Sequence, residues 1–300
     1  MCRVLVVVLN YHTNNDVKKL LKSMMNLDDK LEYDVFIGNT QPRKDEIIEI
    51  KNYIENINMP NYIKVNSLIL NENMGYARGN NYIIRQAVKG KQKTKYNYVL
   101  IANPDIVIND RNVVTQLIKI MDEKEDVAVV GPKVLQMGQK QQGPYKFNNP
   151  ILDSIKFFCP PIGFLMKAFS DKWAEKIKTP TYVWRLIGCF MLVDYDIFES
   201  VGFFDEDTFL YGEENLLSFK FNKINKKSIY VPSVSVIHNH PFKSEYYEGK
   251  SLECFIESNK ILLKKMGYSD FIINIKIASI KFYVSLRRIL KNIKSFGENK

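Results

Sequence analysis

The 300-residue chain has no Cys-x-x-Cys pair, no Gly-x-Gly-x-x-Gly run and no Gly-Lys-Ser/Thr. Each absence removes a class of protein. Cys2, Cys159, Cys189 and Cys254 stand isolated, which favours reduced thiols in a cytosolic protein over a disulfide or zinc framework. Without the glycine fingerprint, a dinucleotide fold has little support, and without the Gly-Lys pair there is no P-loop. No stretch is long and uncharged enough to span a bilayer. Met1-Cys2-Arg3 runs straight into an apolar segment that is too short for a signal peptide and lacks a small-residue cleavage site. Internal repeats and low-complexity segments are missing as well.

What is present is ordinary in bulk and uneven in charge. Hydrophobic residues make up 46% and charged residues 25%, which suits a globular chain of one large or two small domains. The net charge is +10, and Lys250 to Lys300 alone carries eleven basic against four acidic residues, a net of +7. Such a tail can meet anionic lipid, nucleic acid or an anionic substrate. No nucleic-acid-binding motif accompanies it, which argues against that partner.

Apolar runs and helical spacing alternate along the first half. Val4 to Leu9 reads as a strand buried on both faces. Asn14 to Met25 has helical spacing, with Asn15 or Asp16 as a cap. Strands are predicted at Tyr33 to Gly38, Tyr62 to Leu70, Tyr98 to Ala102 and Val127 to Val130. Helices are predicted at Glu46 to Ile57, Gly79 to Val88 and Val113 to Glu123. This order implies an α/β fold with a parallel-type sheet and ligands beyond the carboxyl ends of its strands. Leu135 to Thr181 breaks the pattern and reads as a variable loop with short helices. Regular structure resumes at Val183 to Val193, and Ser228 to Ile237 reads as a late strand.

Four places combine residue types suited to chemistry. Phe203 to Glu214 packs five carboxylates among four aromatics, an environment in which a carboxylate can serve as a base near neutral pH. Glu213 and Glu214 at its end are either that base and its neighbour or an acidic helix start. Asp105, after a strand and Asn103-Pro104, sits where a divalent cation could bridge it to a diphosphate, or simply closes a turn. His238 and His240, two of three histidines, follow the late strand, and His238 could complete a metal site or be a backbone-bonded loop imidazole. Asn73 to Asn81 holds two glycines, an arginine and three asparagines, and is either a ligand-approaching turn or a polar helix cap.

In order, these pieces resemble the inverting family 2 glycosyltransferases of the GT-A fold, in their rhamnosyltransferase-like branch. The matching segments are Val7 to Tyr11, Asn73 to Asn80, Asn103-Pro104-Asp105, Gly188 to Val193, Val201 to Glu206, Tyr211 to Glu214 and His238. They span roughly residues 4–245. The resemblance implies a GT-A (Rossmann-like) mixed sheet flanked by helices over 1–245, followed by a C-terminal helical segment over 246–300. It implies Glu214 as catalytic base with Glu213 beside it, and Asp105 and His238 on a divalent metal, Mn²⁺ or Mg²⁺. Asn10, Tyr11, Asn39, Asn73, Gly75, Arg78, Asn80, Asn103 and Asp105 would line the nucleotide-sugar site. The donor would be dTDP- or UDP-linked, and the acceptor a glycan or lipid-linked glycan of the cell surface. Two departures stand out. Gly38 occupies the place where the family carries an Asp before Asn39, and Glu214 replaces the family's Asp and is followed by Asn215-Leu216. They leave a non-catalytic nucleotide-sugar-binding protein, or an inactive partner subunit, as the alternative.

Phe271 to Ile293 has helical spacing. At about 100° per residue, Ile275, Phe282, Leu286, Ile289, Leu290 and Ile293 share one face. Lys276, Lys281, Arg287, Arg288, Lys291 and Lys294 gather on the other, with Ile277 and Val284 among them. The pattern suits a helix lying on an anionic membrane surface, or one packed on the catalytic domain with a solvated basic face. A cytoplasmic protein, peripheral on the inner face of the membrane, is the expectation.

Overall fold

The computed structural model describes residues 2–89, 96–240 and 248–298, with side chains to residue 292. Ten strands form one mixed sheet. The first half lays down β1 (Arg3–Asn10), α1 (Asn14–Met24), β2 (Glu32–Thr40), α2 (Lys44–Asn56), β3 (Ile63–Leu70), α3 (Gly75–Val88) and β4 (Tyr98–Ala102). Then come β5 (Ile106–Val107), α4 (Val113–Asp122), β6 (Val127–Gln136), β7 (Lys140–Gln142), α5 (Pro150–Phe158), α6 (Pro160–Lys176), β8 (Thr181–Val183) and β9 (Phe190–Asp194). The chain ends with α7 (Tyr195–Ser200), α8 (Glu213–Lys223), β10 (Lys227–His238), α9 (Gly249–Lys265) and α10 (Asp270–Glu298).

The strand order is β3-β2-β1-β4-β9-β6-β10-β5, with β7 on β6 and β8 on β10. β1 is parallel to β2 and β4, β2 to β3, and β10 to β6. β9 is antiparallel to both of its neighbours. The sheet is thus mixed rather than purely parallel. The Val-rich opening run explains why both faces are covered. Val4, Val6 and Val8 enter one core with α1 and α4, while Leu5 and Val7 enter a second core with α3 and α8, as successive strand residues must. Roughly alternating strands and helices leave the loops after β1, β2 and β4 at one edge, where the site lies.

Several boundaries differ from the sequence reading. β6 continues six residues past Val130, because β10 pairs with it throughout and β7 folds back on its end. α1 starts at Asn14, so neither Asn15 nor Asp16 caps it. Instead, the Asn10 carboxamide oxygen accepts from the Thr13 backbone N–H at 3.0 Å. The segment read as a loop with short helices contains α6, seventeen residues long. Its Ile162, Phe164, Leu165 and Phe169 are exposed, so no single buried stripe announces the helix.

The C-terminal helix forms, but it packs through a different stripe from the expected one. Ile273, Ile277, Ile280 and Val284 are the buried apolar positions, and the first three form a small separate core with Leu263 of α9 and Phe157 of α5. Lys276, expected on the basic outer face, is 3% exposed and is ion-paired with Asp153 of α5. The expected apolar face remains outside, with Phe282, Ile289 and Leu290 exposed. The side chains of Ile293 and Lys294, and the expected boundary at residue 245, lie outside the described residues.

Candidate active site

Glu213 and Glu214 open α8, where the free backbone N–H groups favour negative charge. The chain reaches them through two consecutive left-handed residues, Tyr211 (φ 75°) and Gly212 (φ 88°). A non-glycine residue held in that region is strained, and such strain collects at functional sites. The approach is also pinned from α3. Gly75 (φ 78°) leaves no room for a Cβ, which would lie 2.3 Å from the Phe209 carbonyl oxygen. The Tyr76 N–H donates to that same oxygen at 2.9 Å. Asn81 of α3 clamps the segment further upstream, accepting from the Phe204 N–H and donating to the Phe204 carbonyl and to Glu206.

Only part of the acid-rich stretch faces the site. Glu206 pairs with Arg85 at 2.7 Å, and Asp205 and Asp207 both pair with Lys265 of α9. These three acids tether the loop. Glu213 and Glu214 line a cavity of about 500 Å³ together with Tyr76, Asn103, Gly188 and His238. Glu214 Oε1 accepts from the Gly188 N–H at 3.1 Å. A Cβ at 188 would lie 2.5 Å from that oxygen, so glycine lets the carboxylate sit there. Tyr76 donates its hydroxyl to the Gly188 carbonyl at 2.8 Å, so both backbone polar groups of Gly188 are held.

The adjacent acids are unequal. Glu213 is 3% exposed and its Oε1 has no hydrogen-bond partner. Burial, then the neighbouring charge of Glu214, pushes its carboxyl up to about 8. Two carboxylates this close cannot both ionise freely. Glu213 therefore holds a proton at neutral pH, and Glu214 is left as the half-exposed member facing the cavity.

Asp105 lies between β4 and β5, with His238 Nε2 3.3 Å from one carboxylate oxygen and His240 Nδ1 3.3 Å from the other. The two imidazoles stack with centroids 5.6 Å apart. Burial alone would raise the Asp105 carboxyl; the hydrogen bond and charge of His238, with the charge of His240, outweigh it and hold it below the usual range. Apart from the His238 contact, the buried Oδ1 has no hydrogen-bond partner. His238 Nδ1 meets the Gln142 carboxamide oxygen at 2.7 Å, a contact that holds the ring with Nε2 turned to Asp105. Adjacent ligands on an octahedral cation, at about 2.1 Å from it, lie about 3 Å apart. The Asp105–His238 spacing fits that pair. Among the described residues, no three His, Cys, Asp or Glu side chains form a metal-holding group.

The other sequence-predicted residues separate into groups. Asn103 lines the cavity, and its N–H donates to the Cys189 carbonyl at 2.8 Å. Asn10 and Asn39 lie at the carboxyl ends of β1 and β2, 3% and 2% exposed, with their side chains bonded within the chain. Asn10 donates to Asn14 and Asn39, and Asn39 donates to Ser67 and the Leu68 carbonyl. Tyr11 is exposed beside His12. Asn73 and Arg78 line a second cavity of about 340 Å³ with Glu206 and Phe209, not the one holding the acids. Asn80 is buried and bonds the Tyr76 carbonyl of its own helix. Gly38 packs under α3, where a Cβ would lie 2.5 Å from Ile83 Cδ1; a carboxylate side chain at this position would collide with Ile83.

The sequence reading missed the far wall of the cavity. Tyr145, Phe147, Trp184 and Arg185 line it. Phe147 and Trp184 meet edge to face at 4.7 Å, Arg185 stacks 3.8 Å over Tyr145, and the Trp184 indole N–H donates to Asn215. Trp184, one of two tryptophans in the chain, was the available signal. α9 and α10 supply Phe255, Ser258 and Lys276 to the same cavity.

No protein-family model matches the chain. It is 22% identical over 281 residues to the "Low-salt glycan biosynthesis hexosyltransferase Agl10" of Haloferax volcanii, spanning 93% of this chain and 81% of that protein. It is 23% identical over 257 residues to the "Rhamnosyltransferase WbbL" of Escherichia coli K12, spanning 85% and 90%. Both relatives are named as glycosyltransferases, a hexosyltransferase and a rhamnosyltransferase, which is the type of protein the ordered motifs resemble. Solved structures agree on the GT-A fold. The mannosyltransferase PcManGT of Pyrobaculum calidifontis, in complex with GDP-Man and Mn²⁺, superposes with a TM-score of 0.56 at 15% identity, over 94% of this chain and 69% of that one. S. aureus TarS 1-349 in complex with UDP-GlcNAc gives 0.59 at 14% identity, over 94% and 71%. The acid pair of α8 reaches this fold's β4–β9 seam through Gly188, and the Asp105–His238 pair reaches it just after Asn103, whose N–H meets the Cys189 carbonyl.

Proposed function

We propose that the protein transfers a sugar from a dTDP- or UDP-linked donor to a hydroxyl of a glycan or lipid-linked glycan, with inversion at the anomeric carbon. The observation that carries this reading is the single cavity onto which Glu214, its proton-holding neighbour Glu213 and the Asp105-linked His238 all open. Asp105 and His238 would hold a divalent cation, Mn²⁺ or Mg²⁺, with the donor diphosphate as further ligand. When bound, the cation offsets negative charge growing on the leaving diphosphate.

The remaining work falls to the protein's own groups. Glu214 accepts the proton of the acceptor hydroxyl. The freed oxygen attacks the anomeric carbon as the bond to the diphosphate breaks on the opposite side, which inverts the configuration. The Gly188 N–H holds the carboxylate in place. The protonated Glu213 keeps a second negative charge away from it, and Trp184 and Phe147 give the sugar rings an apolar wall. Free cysteines at all four positions suit a cytoplasmic enzyme. Among the described residues, no helix is long and apolar enough to cross a membrane.

Glu214→Gln separates catalysis from binding. The variant should retain the rise in melting temperature produced by Mn²⁺ with the preferred nucleotide, while transfer falls by about a hundredfold or more. Transfer at the parent rate would remove Glu214 from the role of base. Nucleotide binding by the parent with no transfer to any acceptor would favour the non-catalytic binding protein.

A further inference from the structure

We infer that the outer faces of α5 and α10 form one docking surface for an anionic lipid bilayer. α10 has two apolar stripes. One packs inward through Ile277 and Ile280. The other lies about 180° round the helix at the usual 100° per residue and runs through Phe271, Phe282 and Ile289, which are 73%, 47% and 56% exposed. α5 continues it. Ile151, Ile155 and Phe158 follow helical spacing on one face and are exposed, while Phe157 turns inward onto Tyr283. The Phe158 and Phe282 rings lie 5.7 Å apart, joining the two helices into one apolar surface. Exposed apolar area of this extent on two adjacent helices marks an interaction site rather than ordinary surface.

Charge selects the occupant. Lys281 and Arg288 each precede an exposed apolar residue, so each lies about 100° round the helix from it and borders the apolar stripe. Both are exposed. The acid of α5, Asp153, points inward to Lys276 and Lys156, and on the described rim of α10 the exposed Asp270 before Phe271 is outnumbered by Lys281 and Arg288. A second copy would set basic rim against basic rim, whereas an anionic lipid surface pairs with it. No described helix can span a bilayer, so the helices lie along it with the apolar stripe in the headgroup region. The inner sides of α5 and α10 contribute Asp153 and Lys276 to the cavity wall. Docking through their outer sides therefore holds the cavity next to the bilayer. The inference stands on surface geometry and does not require the transferase reading.

The test is co-sedimentation of the full chain with vesicles of phosphatidylcholine alone and of phosphatidylcholine mixed with phosphatidylglycerol. Binding should need the anionic lipid and weaken with added salt. Phe282→Ser with Ile289→Ser should reduce it at least about tenfold, and Lys281→Glu with Arg288→Glu by a similar factor. Phe271→Ser, at the most exposed of the three positions, gives a second reading with the least risk to folding, which circular dichroism checks. Failure of the parent to bind anionic vesicles would overturn the proposal. So would concentration-dependent dimerisation that Phe282→Ser abolishes, since the face would then join two copies.

Discussion

At the scale of single residues, Gly188 and Glu213 set the state of the acid pair. Alanine at 188 places a methyl 2.5 Å from Glu214 Oε1, so the carboxylate has to swing away. Gly188→Ala should lower kcat by about a hundredfold with little change in melting temperature; parent-like kcat would mean Glu214 works from another position. Glu213 makes a pH prediction. Its folded pKa of about 8 lies above the ordinary carboxylate value, so its contribution to stability is full below the unfolded pKa and is lost as pH rises through about 8. Glu213→Gln removes that loss. Urea unfolding should show the variant gaining on the parent from pH 5 to pH 8, by up to a few kcal/mol; parallel pH profiles would show that Glu213 ionises normally. Residue type alone could nominate Glu213 and Glu214 but not rank them, because burial ranks them and burial belongs to the fold. The same holds for Asn10 and Asn39, whose amides are bonded within the chain once β1, β2 and β3 are aligned.

At the scale of elements, the seam between α5 and α10 carries the strongest expectation. Lys276 is buried against Phe157, and burial pulls its ammonium group down while Asp153 pulls it back up. Removing one partner of such a pair strands the other charge, whereas replacing both with apolar groups of similar volume costs little. Asp153→Ala should therefore destabilise the protein by about 3 kcal/mol in urea titration, and Asp153→Leu with Lys276→Met should recover most of it. A single variant as stable as the parent would show the pair to be solvated. The element also explains a misreading. α10 carries two apolar stripes on opposite sides, and helical spacing alone favoured the broader one, with Phe282 and Ile289. The narrower stripe of Ile277 and Ile280 won because Phe157 and Leu263 are there to receive it. α6 escaped notice for the converse reason, since its apolar residues are outside.

At the scale of the whole molecule, the site is assembled from segments far apart in sequence. β4 brings Asp105, the turn into β9 brings Gly188, α8 brings the glutamates, and β10 returns His238 to the sheet beside β5. The C-terminal helices close the cavity from one side and present the apolar and basic face on the other. This arrangement makes the net charge of +10 directional. Lys281 and Arg288 place part of it on the exposed side of α10 that the vesicle experiment probes, so steering toward an anionic surface would also orient the cavity.

The sequence alone determined the alternation of strands and helices, the identity of the acid pair, Asp105 and His238 as chemically distinctive positions, and the likeness to family 2 glycosyltransferases. These are local matters of residue type, spacing and order along the chain. Tertiary structure decided which glutamate keeps its proton, which acids are tethers, which asparagines are internal, and which stripe of α10 faces in. Those outcomes depend on desolvation and on partners supplied by distant segments. Trp184, Gly188 and Lys276 acquire their roles only when the segments that carry them close round one cavity.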